Sequence, residues 1–284
     1  MNTMHSANTS RSPYTSQIVD NADWLKTVAI VAVAVGHFGH FFIRDDQWWS
    51  VFGRLAAPAF FFLIGYASTR SVPFRWIWLG IILTVLESLN ADGNWVAPNI
   101  LLSLAFLRAV RPYAHAFLQR YGWTALAILV CALIALVPVT DQVADYGAGG
   151  WLWAVFGLCQ RMYVDDTSPA SGKSEAESSS PPVHAAAVNA SLMRLLACIA
   201  AALPYFWQEQ AEYSFPPLHF AVFVLGIGIL SASLCLFRRG PSRIQPPEPI
   251  ARTLRFIGRH TLEIYAIQLA GSELLIMFVD DLAP

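Results

Sequence analysis

The sequence predicts an all-α fold, a polytopic transmembrane helical bundle of about nine spans. Three observations carry this. The 284 residues are 56% hydrophobic and only 13% charged, about half the charged share of an ordinary soluble domain. Apolar runs recur from residue 24 to residue 279, with no polar stretch between them that has the apolar content for a second core. The connections between the runs alternate in charge, as in a chain that crosses a bilayer repeatedly. No basic tract points to nucleic acid, so the lipid bilayer is the expected environment and no nucleic-acid partner is expected.

Residues 1–22 form a polar tail that lacks the charged, apolar, small-residue order of a cleaved signal peptide. The first span is expected to serve as its own uncleaved signal. The apolar stretches then run at about 24–43, 49–67, 75–90, 97–112, 121–139, 147–164, 190–207, 217–237 and 257–279. The third and fourth are shorter than the ~20 residues of an upright crossing. The turn cluster Asn90-Ala91-Asp92-Gly93-Asn94 makes them a hairpin of two short helices. Six spans therefore fall within 23–164 and three within 190–280. Residues 165–189 are rich in Ser, Pro, Ala and Glu and are expected to be a disordered cytoplasmic insert. Residues 240–251 read as a proline-stiffened linker.

Orientation follows from the connections. One set carries Arg70 and Arg75, then Arg108, Arg111 and Arg120, then Arg161, Lys173 and Arg194, then Arg238 through Arg255. The alternate set carries Asp45-Asp46, Asp92, Asp141 with Asp145, Glu209 with Glu212, and Asp280-Asp281, with Arg44 the exception. Positive charge stays inside, so the N-terminus is expected to be cytoplasmic. The four cysteines lie in apolar runs without a CxxC and read as small buried hydrophobes.

The first span holds ionisable groups. Lys26 and His37 are separated by ten residues, close to three helical turns and roughly 16 Å of axis, so both point to one face. Such groups in a membrane helix usually face a cavity or a partner. His40 follows one turn on, and Arg54 and Glu87 fall at a similar depth in their own spans. Gly36 and Gly39 flank His37 and let a neighbour approach closely. An imidazole there has the chemistry of a general base. Plainer readings stand beside it: a satisfied core histidine, an Arg54–Glu87 pair that pins two helices, and a Lys26 that snorkels to the interface. No metal is expected, because no third ligand accompanies His37 and His40 on the helix.

A basic residue, ten residues and a histidine resemble the opening helix of membrane-bound acyltransferases. Phe52-Gly53-Arg54 followed by Pro58-Ala59-Phe60 and Gly65 resembles, more narrowly, the TraX family, which acetylates the N-terminus of conjugative pilin. Glu87-Ser88, Pro98-Asn99 and Ile257-Gly258-Arg259-His260-Thr261-Leu262-Glu263-Ile264-Tyr265 resemble its later segments. Gly36 stands where the family often has an acidic residue, and Gln268 where it usually has a histidine. The resemblance implies an enzyme of the bacterial inner membrane that uses acetyl-CoA as donor. It implies His37 as base or acyl carrier, Arg54 as stabiliser of developing charge and Glu87 as their orienting partner, with His40 as a secondary candidate. It implies Lys26, Arg70 and Arg259 as ligands of CoA phosphates. The acceptor it implies is a pilin N-terminus. Alternatives are a cell-surface sugar as acceptor, or a non-enzymatic transporter or assembly factor.

Overall fold

The computed structural model describes residues 18–43, 46–69, 71–91, 94–167 and 183–280. Among these, ten helices form and no strand: α1 (Asn21–Phe42), α2 (Trp48–Gly53), α3 (Ala56–Tyr66), α4 (Phe74–Leu89), α5 (Ile100–Tyr121), α6 (Trp123–Thr140), α7 (Gly147–Thr167), α8 (Val183–Tyr213), α9 (Pro217–Cys235) and α10 (Glu248–Asp280).

Each helix has a local cause. Asp20 caps α1 and, with Asp23, closes a capping box, which satisfies two otherwise orphaned donors. Asn99 caps α5 by accepting from the Leu101 N–H at 3.2 Å. Gly122, at φ +50°, separates α5 from α6, a conformation that a side chain would resist. The second apolar stretch is broken at Arg54-Leu55 between α2 and α3. The carbonyl of Arg54 at that break accepts a 2.6 Å hydrogen bond from the Tyr205 hydroxyl.

The core lies between α3 and α7, where Phe61 and Phe62 meet Trp153 and Phe156, all fully buried. Tyr205 of α8 and Phe223 of α9 close it. Small residues let α3 and α7 touch: a methyl at Gly65 would strike the carbonyl of Ala154, and one at Gly157 the carbonyl of Phe62. Backbone contact of this kind is the usual way membrane helices gain packing without a hydrophobic driving force.

The protein is a membrane-type helical bundle, but the nine expected spans are not all of spanning character. Six stretches are long and apolar enough: Asn21–Phe42, Trp48–Tyr66, Ile100–Thr140, Val188–Tyr213, Pro217–Cys235 and Glu248–Phe278. The difference has three sources. α4 has only 16 residues, about 24 Å. α7 buries most of its length inside the bundle, so it packs on protein rather than lipid. α5 does not stop at residue 112 but continues through Pro112 to Tyr121, and with α6 it forms one long apolar run. The insert boundaries also shift: residues 165–167 complete α7 and 183–189 begin α8. The rest of that stretch lies outside the described residues, as does most of the N-terminal tail.

The start of α1 is tied to the α9–α10 connection. Asn21 N–H donates to the Gly240 carbonyl at 3.0 Å and Ser242 N–H to that of Val19 at 2.9 Å. Arg239 pairs with Asp20 at 3.5 Å. The connection read as a bare linker is therefore part of the fold.

Candidate active site

Positions 26, 33, 37 and 40 make one face of α1, and that face lines a cavity of about 570 Å³. Its other walls come from α2, α3, α4, α5 and α10 with the α6–α7 connection and the end of α8. A second cavity of about 730 Å³ adjoins it and shares His40, Glu87, Tyr213 and Glu273. Lys26, His37, His40, Arg54, Glu87 and Arg259 all line the first cavity. Arg70 lies outside the described residues.

The cavity is polarised. At one end stand Lys26, Arg75 and Arg259; at the other Glu87, Asp145, Glu212 and Glu273. His37 lies between, and Arg54 stands at the acidic end against Glu209 and Glu212. Gly36 of α1 sits directly on Gly53 of α2, with no room for a methyl on either. That contact brings the next residue of each helix, His37 and Arg54, to neighbouring walls.

The His37 ring is held by aromatics, 5.8 Å from the Tyr265 ring and 6.0 Å from Phe41, centroid to centroid. Its Nδ1 is enclosed without a hydrogen-bond partner, which leaves Nε2 as the nitrogen toward the lumen. Among the described residues Glu87 makes no hydrogen bond to it. The Glu87 carboxylate accepts from Asn99 Nδ2 at 2.9 Å, and the same amide reaches the Tyr265 hydroxyl at 3.2 Å. Asn99 thus joins α4 to α10 behind His37. His40 is exposed at the far side and packs edge-on to Phe41.

Arg54 does not pair with Glu87 either. Its guanidinium lies 3.3 Å from Glu209 and 3.3 Å from Glu212. It donates to the Tyr146 hydroxyl at 2.9 Å and lies 4.5 Å from the centre of the Tyr213 ring. Tyr146 holds this position with φ +60°, an uncommon backbone state for a bulky residue and one that clusters at functional sites.

Lys26 is not snorkelling. Its Nζ donates to the Gly258 carbonyl at 2.9 Å, two residues before the kink in α10 at His260. It caps a helix that bends. Gly258 packs on Asp23 so closely that a methyl would collide. Arg75, at the same end, pairs with Glu263 at 2.6 Å.

The residues that sequence reasoning missed are Asn99, Tyr265, Glu273 and the Arg54 partners. Glu209, Glu212 and Asp145 were counted as acids of outer connections. The signal for the first two was their spacing of three, which puts both carboxylates on one face of the α8 end.

Asp145, between α6 and α7, lines the cavity beside Arg54. Burial pushes its carboxyl from an ordinary 3.8 up to about 6, against the pull of Arg54. The folded state therefore binds the proton more tightly than the unfolded chain. Stability from this group is lost as pH rises from about 4 to about 6. Asp145→Asn is expected to match the parent at pH 4 and to exceed it at pH 7 by of order 1 kcal/mol, since the cavity still partly hydrates the carboxylate. Thermal unfolding in detergent at the two pH values measures this; equal midpoints at pH 7 would contradict it.

Comparison with known proteins gives a consistent match. The family model described as TraX protein matches residues 21–227. Protein TraX of Escherichia coli is 28% identical over 231 residues, 74% of this chain and 86% of that protein. Protein TraX of Escherichia coli (strain K12) is 29% identical over 147 residues, 50% of this chain and 56% of its own length. An uncharacterized protein of Rickettsia prowazekii (strain Madrid E) is 26% identical over 125 residues, 44% of this chain and 50% of that one. No solved structure matches.

Proposed function

The chain belongs to the TraX family, and from that premise we propose that it is an acetyltransferase of the bacterial inner membrane. It moves an acetyl group from acetyl-CoA, entering from the cytoplasm, to an extracytoplasmic or membrane-embedded amine, the N-terminus of a pilin. The observation that carries this reading is a cavity with Lys26, Arg75 and Arg259 at one end, carboxylates at the other and His37 between them.

The chemistry is direct attack. His37 Nε2 takes the proton of the acceptor amine as its nitrogen bonds to the thioester carbonyl. Arg54, on the neighbouring wall, offsets negative charge on the carbonyl oxygen. The C–S bond then breaks, and the thiolate leaves with the proton from His37. Lys26 and Arg259 face the end where CoA phosphates would lie, and Arg70 belongs to the same cytoplasmic set. Glu87 acts through Asn99 and Tyr265, not through the imidazole itself. In this reading the chain crosses the bilayer nine times with its N-terminus inside. Reporter fusions after Asp141 and after Lys173 then report opposite sides; the same side for both would refute the topology.

The decisive assay uses purified protein in detergent with radiolabelled acetyl-CoA and a synthetic pilin N-terminal peptide. Label on the peptide α-amine is the expected result. Neither transfer nor donor hydrolysis would place the protein outside enzymes of this class. Release of label only to sugar acceptors would replace the pilin.

A further inference from the structure

Trp76 stands near the start of α4, at the cationic end of the cavity. Its neighbours Phe74 and Trp78 are 67% and 52% exposed on the outer surface, as interfacial aromatics are. Trp76 is turned the other way: it is half-buried and lines the cavity near Lys26, Arg75 and Arg259. Behind it lies Arg108 of α5, with its guanidinium carbon 4.9 Å from the centre of the Trp76 ring. Arg108 is not among the residues of the cavity wall, and its Nε is enclosed without an acceptor. A cation placed there, with no carboxylate paired to it among the described residues, fixes one face of the ring and leaves the other facing the lumen.

We propose that Trp76 is the stacking platform for the adenine of the donor, an adenine-reading site distinct from the phosphate ligands. This rests on the acetyl-CoA reading above. Aromatic rings bind bases through their faces without needing hydrogen bonds, and Arg108 keeps this ring from rotating. The distances agree. Lys26 lies roughly 16 Å along α1 from His37, a span that an extended pantetheine arm covers. The purine then sits on Trp76, the phosphates lie among Lys26, Arg75 and Arg259, and the thioester reaches His37. Arg75 exchanges Glu263 for phosphate as the donor enters.

The test compares acetyl-CoA with acetyl-pantetheine, which lacks the nucleotide, on purified full-length protein. Trp76→Leu is expected to raise KM for acetyl-CoA by about 10-fold or more, with kcat within a few-fold and KM for acetyl-pantetheine unchanged. Trp76→Phe, which keeps a ring, stays near the parent. An unchanged KM for acetyl-CoA, or an equal loss with both donors, overturns the proposal. Should the leucine variant not fold, competitive inhibition of the parent by adenosine 3′,5′-bisphosphate, weakened in Arg108→Gln, carries the test. Absence of that inhibition also overturns it. A parent enzyme that transfers from neither donor sinks the acetyl-CoA reading itself, an outcome distinct from failure at Trp76.

Discussion

His37→Ala is expected to remove about 10²–10⁴ of the acetyl-transfer rate while the protein still inserts and still binds CoA. The imidazole sits in an aromatic frame of Phe41 and Tyr265, and nothing hydrogen-bonds its Nδ1. Its loss therefore breaks no structural bond, and stability should fall by little more than the lost packing. That separates it from Lys26→Ala, which frees the Gly258 carbonyl beside the α10 kink and should weaken both the helix and donor binding. It also separates it from His40→Ala, whose side chain is exposed and whose loss should be milder. Single-turnover transfer, with CoA binding measured in parallel, distinguishes the three. More than a tenth of the parent rate in His37→Ala would exclude it as the base, and a dead His40→Ala beside it would move that role one turn along α1.

Arg54→Met is expected to abolish activity and also to destabilise the bundle by about 3–5 kcal/mol, because it strands a buried carboxylate. Glu209 is 3% exposed and faces the guanidinium; Glu212, at 61%, is largely hydrated and contributes little. The two roles of Arg54 can be pulled apart. Glu209→Gln in the Arg54→Met background removes the stranded charge and should restore most of the stability without restoring transfer. Thermal unfolding and turnover, measured on the same preparations, give both numbers. If the double variant regains activity, Arg54 is a structural anchor and does not face the reacting oxygen.

Much of this molecule was legible in the order of its residues. Lys26 and His37 share a face because eleven positions nearly complete three turns, and the cavity does run along that face. The apolar runs became helices because nothing else satisfies a backbone in lipid. α7 reads as an apolar stretch like the others, yet Gly147 to Gln160 is almost wholly buried, and apolar sequence does not reveal whether a helix meets lipid or protein. The Arg54 environment was misread for a related reason. A carboxylate at a helix end reads as solvated, yet Glu209 is turned inward onto Arg54, on the α8 that packs against α7. Asn99 was visible only as a residue of the Pro98-Asn99 pair; that it couples Glu87 to Tyr265 depends on helices 166 positions apart. Arg70 lies outside the described residues.

The clasp between Val19–Asn21 and Gly240–Ser242 sets the order of biogenesis. A ribosome delivers α1 first and α10 more than two hundred residues later, and contacts of such separation form slowly. Until α10 docks, the wall that carries Lys26 and His37 has no Gly258 carbonyl, no Tyr265 ring and no Glu273 opposite it. The nascent protein therefore passes through a stage in which the polar face of α1 is open to lipid or to the insertion machinery. Synthesis that stalls before α10 leaves that face uncovered, a mark by which membrane quality control can tell an unfinished copy from a finished one.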